Sequence, residues 1–270
     1  MNTRHKKILI TGGSGLVGKK LTHKLLQKGY EVAILSRNNT RSAEATYYQW
    51  DIEKGYINPE ALQNTQGIIH LAGAGVADKN WTKERKQEIL ESRIRSTELL
   101  YNSLKELDEK PLSFISASAI GIYGDRDVNT KLTESSSPGN GFLAEVTQLW
   151  EKSIDKVNDL GIRTAKIRIG IVLSTQGGAL PKICQPIKLG AGAPLGSGEQ
   201  GVSWIHIDDL CDIFIYALEN TSIQGAYNAV APEPVDNSLL TKAIAKHLKK
   251  LLLLPNVPSF ALKLMLGEMA

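Results

Sequence analysis

Short apolar, β-branched runs alternate with longer segments of helical periodicity along most of the chain. KILIT (7–11), EVAILS (31–36), GIIHLAG (67–73), SFISAS (113–118) and TAKIRIGIVL (164–173) read as strands, separated by helical patterns over 16–28, 83–107 and 141–160. The runs lack the polar alternation of half-solvated strands, so they fit strands covered on both faces. That order predicts an α/β fold with a Rossmann-type, doubly wound parallel sheet. From Gly177 the pattern loosens into GGALPKICQPIKLGAGAPLGSGEQG, then tightens into VSWIHIDDL and a helical DLCDIFIYALEN. We therefore expect a core over 1–176 and a smaller mixed α/β substrate lobe over 177–270, with 202–230 returning to the core. The glycine-rich 189–201 segment is expected to be a mobile loop over the pocket. The last pattern, PSFALKLMLGEMA, is apolar on most helical positions and needs cover. Either the body of the protein or a second copy, making a homodimer, would supply it, or the lobe is incomplete at its C-terminus.

Composition narrows the function classes. With 42% hydrophobic residues in 270, the chain can bury a full core. Its 32 Lys and Arg are interspersed with 28 Asp and Glu, and the net charge is only +4, which argues against a nucleic-acid partner. Two distant cysteines, Cys184 and Cys211, suggest neither a disulfide framework nor a metal site, and point to a reducing, cytoplasmic setting. No run approaches the roughly 18 apolar residues of a membrane span, and the N-terminal apolar run is broken at Thr11–Gly13, so no membrane partner is expected.

Candidate chemistry begins at ILITGGSGLVGKKL. Gly12, Gly15 and Gly18 form a GxxGxxG turn between a strand and a helix, where close backbone approach admits a pyrophosphate and the helix N-terminus favours its charge. Ser14 adds a hydroxyl, and Leu16 and Val17 open the helix. NAD sites place an acid about 20 residues beyond this loop, where NADP sites want a cation. Ser36 and Arg37 stand there. The Arg37 guanidinium suits a 2′-phosphate, so NADP is favoured over NAD.

With this loop, IIHLAG, SFISASAIGIYGD and VSWIHIDDL in order, the chain resembles the extended short-chain dehydrogenase/reductase superfamily, and looks closest to its atypical epimerase branch of unknown substrate. Stretches such as HLAGAGVADKNWTKERKQEILESRIRST carry the closer likeness. The resemblance implies that Leu71, Ala72 and Gly73 run past the nicotinamide ribose, that Asp51 meets the adenine amino group, and that Arg93 and Thr97 fall where relatives carry a helix-steadying Asn. It implies a structural role for Trp204, His206 and Asp208. Arg168, at the end of TAKIRIG, stands where this fold binds substrate or cofactor from the sheet's carboxyl edge. His70, closing a strand before a glycine, reads as structural.

The expected proton-transfer pair is missing. Such enzymes orient the substrate with a Ser or Thr hydroxyl and use a Tyr-x-x-x-Lys about 25 residues on as acid/base. Ser118 fits the hydroxyl, but Phe142 or Leu143 stands for the Tyr and Val146 or Thr147 for the Lys, depending on register. Two substitutes suggest themselves: Glu145, if burial raises its pKa, and Tyr123 from the loop after Ser118. Trp150 and Glu151 fit helix packing and a solvated face equally well. Two functions remain in view, an NADP-dependent oxidoreductase or epimerase acting on an unidentified small molecule, and a non-catalytic NADP-binding or sensor protein.

Overall fold

The apolar runs pair side by side because every residue of KILIT and most of EVAILS and SFISASA is buried, which requires cover on both faces. In a computed structural model describing residues 6–38, 44–126 and 130–269, the chain runs β1 (Lys7–Thr11), α1 (Leu16–Gln27), β2 (Glu31–Ser36), β3 (Thr46–Asp51), β4 (Tyr56–Ile57), β5 (Thr65–His70), α2 (Lys83–Lys105), β6 (Ser113–Ala119) and α3 (Phe142–Asp155). It continues through β7 (Arg163–Ile169), β8 (Ile171–Ser174), β9 (Gly177–Gly178), α4 (Ala179–Lys188), β10 (Gly201–Val202), β11 (Trp204–His206), α5 (Ile207–Glu219), β12 (Gly225–Ala229), β13 (Val235–Asp236), α6 (Asn237–His247) and α7 (Ser259–Leu266).

Eight strands form one sheet in the order β12-β7-β6-β5-β1-β2-β3-β4, with every neighbouring pair parallel except β3–β4. The winding reverses between β1 and β5, where Thr11 lies beside His70. That reversal opens a crevice outside the carboxyl ends of the strands, the place where doubly wound sheets bind ligands. Helices α1 and α5 pack together, as do α2 and α3. Phe114, Phe214, Ile10 and Ile69 are among the largest fully buried side chains.

The run TAKIRIGIVL is two strands rather than one. It breaks at Gly170, where a Cβ would come 2.6 Å from the Ser203 carbonyl oxygen. Beyond that crossing β8 leaves the main sheet and pairs with β11 and β9. The chain rejoins the main sheet at β12, parallel to β7. The segment TYYQWD, which carries no continuous apolar run, is nevertheless strand β3. Among the described residues no helix is long and apolar enough to cross a membrane.

Candidate functional site

The glycine turn sits at the reversal point. Gly12 takes φ +70°, and a Cβ there would lie 2.9 Å from the Leu71 carbonyl carbon and oxygen. The loop therefore lies against the backbone just past β5. At Gly18 a Cβ would stand 2.3 Å from the Gly12 carbonyl oxygen, so this glycine lets α1 close on the loop. Gly15 differs: as N-cap of α1 it has φ −74°, open to any residue, and only the Gly12 oxygen, 3.3 Å away, approaches its Cβ. Ser14 and Gly15 are exposed, with Leu16 and Val17 half-buried behind them. No side chain caps α1, so the first backbone N–H groups of the helix are left without a capping acceptor, as a phosphate site requires.

A buried hydroxyl–imidazole chain fixes the neighbouring strand end. Thr11 Oγ accepts the backbone N–H groups of Leu71 and Ala72, each at 3.1 Å, and lies 2.7 Å from His70 Nδ1. Having accepted two hydrogens, the hydroxyl gives its own to Nδ1, so the ring carries its proton on Nε2, toward Thr97 Oγ at 3.2 Å and Ser96 Oγ at 3.4 Å. Both those hydroxyls in turn donate to the Arg93 carbonyl. Burial, with the Arg93 charge adding to it, pushes His70 down to about 3. His70 is a neutral structural link between β1, β5 and α2. Thr11, the centre of the link, is a strand-end residue whose role nothing in the apolar pattern marks.

At the outer end of β2, Arg37 is exposed and makes no ion pair with the described residues, while Ser36 Oγ accepts the Asn38 N–H. Asp51 ends β3, where its Oδ1 accepts the N–H groups of Glu53 and Lys54. Gly73 is exposed just past β5.

The expected catalytic residues are placed less simply. Ser118, 2% exposed, donates to Glu151 Oε1 at 2.6 Å. Arg168 grips both oxygens of the same carboxylate, Nε at 2.8 Å and Nη2 at 2.9 Å, a fork-to-fork pair. Its Nη1 donates to Tyr123 Oη and the Glu134 carbonyl, and Tyr123 donates to Asn228 Oδ1 at 2.6 Å. Burial pushes Glu151 up, but the hydrogen bonds from Arg168 and Ser118 outweigh it and hold the carboxyl below its usual range. The solvated alternative for Trp150 and Glu151 is thereby removed, since both are buried. Arg168, expected against substrate or cofactor, is turned inward, with a protein partner on every guanidinium nitrogen. Tyr123 is held by Arg168 and Asn228 rather than free in a loop. The burial that a base role for Glu145 would need is absent: it is exposed in the first turn of α3, on an open surface cleft with Phe142, Gln148 and Lys86. In the Tyr register, Phe142 stacks edge-on against Trp81 at 4.9 Å, a packing contact, and Val146 and Thr147 are buried.

His206 caps α5 by accepting the Asp208 N–H, and Asp208 pairs with Lys20 at 2.8 Å, tying α5 to α1. Trp204 lies in β11 beside Ile171. These are structural placements.

A doubly wound sheet with a glycine cradle at its reversal point defines a Rossmann-type protein of the extended short-chain dehydrogenase/reductase kind. The chain belongs to the NAD dependent epimerase/dehydratase family, whose model matches residues 8–229. It is 39% identical over 265 residues to the epimerase family protein YfhF of Bacillus subtilis, covering 97% of this chain and 86% of that one. The crystal structure of human epimerase family protein SDR39U1 with NADPH superposes with a TM-score of 0.86 at 28% identity, covering 97% of this chain and 86% of that one. A nucleoside-diphosphate sugar epimerase from Corynebacterium glutamicum gives a TM-score of 0.78 at 35% identity, over 97% of this chain and 55% of that one.

Proposed function

We propose that the protein binds NADP(H) across the carboxyl edge of its sheet and uses it in hydride transfer or epimerisation of a small molecule, with an acid/base other than Tyr-x-x-x-Lys. One observation carries the cofactor half: Gly12, at φ +70° against Leu71, leaves Ser14, Gly15 and the N-terminus of α1 open at the reversal point. When bound, the nicotinamide would supply the hydride chemistry. The protein's contribution is the cradle for the pyrophosphate, Asp51 at the adenine end and the backbone of Leu71, Ala72 and Gly73 at the ribose end. The choice of NADP rests on Arg37, exposed at the end of β2 and in no ion pair among the described residues, and is supported by the human relative crystallised with NADPH. A charge-assisted contact to the 2′-phosphate contributes about 1.5–3 kcal/mol, about a ten- to hundredfold preference for NADPH over NADH. Titration of both nucleotides should show that preference in the wild type and its loss in Arg37→Ala. Equal wild-type affinities would sink the assignment.

A second reading, a binding or sensor protein without turnover, is favoured by one set of contacts. Phe142, Ser118 and Tyr123 are all engaged in packing or internal hydrogen bonds, and Glu145 is exposed. A screen of nucleotide sugars and small carbonyl compounds separates the two, provided epimerised product is assayed as well as NADPH consumption, because an epimerase returns its hydride.

A further inference from the structure

Two arginines of α2 support the loop that follows β5, and they differ in how they are neutralised. Arg85 donates to the Gly75 carbonyl and has a carboxylate partner, Glu88, at 2.6 Å. Arg93 is half-buried and has no carboxylate within ion-pair distance among the described residues. Its Nη1 donates to the Ala74 carbonyl at 3.0 Å and the Ile89 carbonyl at 2.9 Å, and its guanidinium lies over the Trp150 ring at 5.1 Å. Nε and Nη2 bond to no acceptor among the described residues. Burial and the nearby Arg85 charge push its pKa down, to about 10, so it is still a cation at neutral pH.

Its position gives that charge a use. A Cβ added to Gly73 would come 3.2 Å from the Arg93 Cζ, so the guanidinium lies directly against the backbone just past the carboxyl end of β5. From α3 it is met by Trp150, one helical turn beyond Val146 and Thr147, the two positions where the missing lysine would stand. A guanidinium with donors to spare, set between the β5 end and that face of α3, can replace an ammonium that an apolar or hydroxyl side chain cannot.

We infer that Arg93 is the cation of the nicotinamide end of the site, donating from Nε and Nη2 to the hydroxyls of the nicotinamide ribose in place of the absent lysine. The inference rests on the NADP(H)-binding reading above, and goes beyond it by naming the group that holds the reactive half of the cofactor. Arg93 is a binding and positioning residue in this role; the acid/base remains a separate group.

The test compares NADPH with 2′,5′-ADP, which keeps the adenosine and the 2′-phosphate but lacks the nicotinamide ribose. In Arg93→Met the affinity for NADPH should fall about tenfold, the loss of roughly one charge-assisted hydrogen bond. The affinity for 2′,5′-ADP should stay the same, and Arg93→Lys should recover part of the NADPH affinity. If Arg93→Met does not fold, Arg93→Gln, which keeps a donor for the Ala74 carbonyl, is read by the same criterion. Unchanged NADPH affinity overturns the inference. So does a parallel loss for both ligands together with a lowered melting temperature, the result of a purely structural role. A wild type that binds neither ligand instead defeats the NADP(H) reading itself.

Discussion

His70 shows how a single side chain can be a stability switch without being catalytic. It is fully buried between Thr11 and Thr97, and its pKa falls from 6.5 to about 3. Between those values the unfolded chain binds a proton that the folded protein refuses. The stabilising contribution is therefore complete above pH 6.5 and is lost as the pH falls toward 3. From pH 7 to pH 5 this one group should cost about 2 kcal/mol of unfolding free energy. Urea unfolding at the two pH values measures it. His70→Gln, less stable at pH 7, should show a flatter dependence, and an undiminished slope in that variant would assign the effect elsewhere. At the same scale, Glu151 was ambiguous in sequence because a carboxylate on a helix is ordinarily solvated. The approach of Arg168 and Lys166 from β7 and Ser118 from β6 makes its burial tolerable.

Within the β1–α1 element the three glycines of GxxGxxG do different work, although they look alike as a motif. Gly12 needs positive φ and Gly18 needs the absence of a side chain, whereas Gly15 has ordinary backbone angles. Gly18→Ala should therefore lower the melting temperature, since its Cβ would meet backbone atoms at 2.3 Å and 2.6 Å that have no flexible side chain to move aside. Gly15→Val should keep the fold, because φ −74° suits any residue, and should abolish nucleotide binding by filling the exposed space before α1. Paired melting curves and calorimetric titrations of NADPH check both. Undiminished binding by Gly15→Val would remove the loop from the phosphate site, and a Gly18→Ala protein as stable as wild type would contradict the packing.

For the whole molecule, a cofactor held by β1, β2, β3 and β5 together should stabilise the fold as a unit. NADPH at about a hundred times its Kd should add about 2.7 kcal/mol to the unfolding free energy, seen as a concentration-dependent rise in Tm. No rise at any concentration would count against binding to the native state. At this scale the residue pattern by itself determined the doubly wound sheet and the glycine turn, and it placed Phe142 and Val146 where a Tyr-x-x-x-Lys is expected after Ser118. Strand burial on both faces, glycine spacing and the identity of Phe142 and Val146 are local properties that survive in a linear string. The break at Gly170, the membership of TYYQWD in the sheet and the inward turn of Arg168 were decided only in three dimensions. Each depends on a partner distant in sequence: the Ser203 carbonyl, the edge of β2 and the Glu151 carboxylate. Arg93 belongs with them. Its charge is visible in sequence, but its lack of a carboxylate partner among the described residues and its seat between Gly73 and Trp150 exist only once α2 and α3 pack together beside the end of β5.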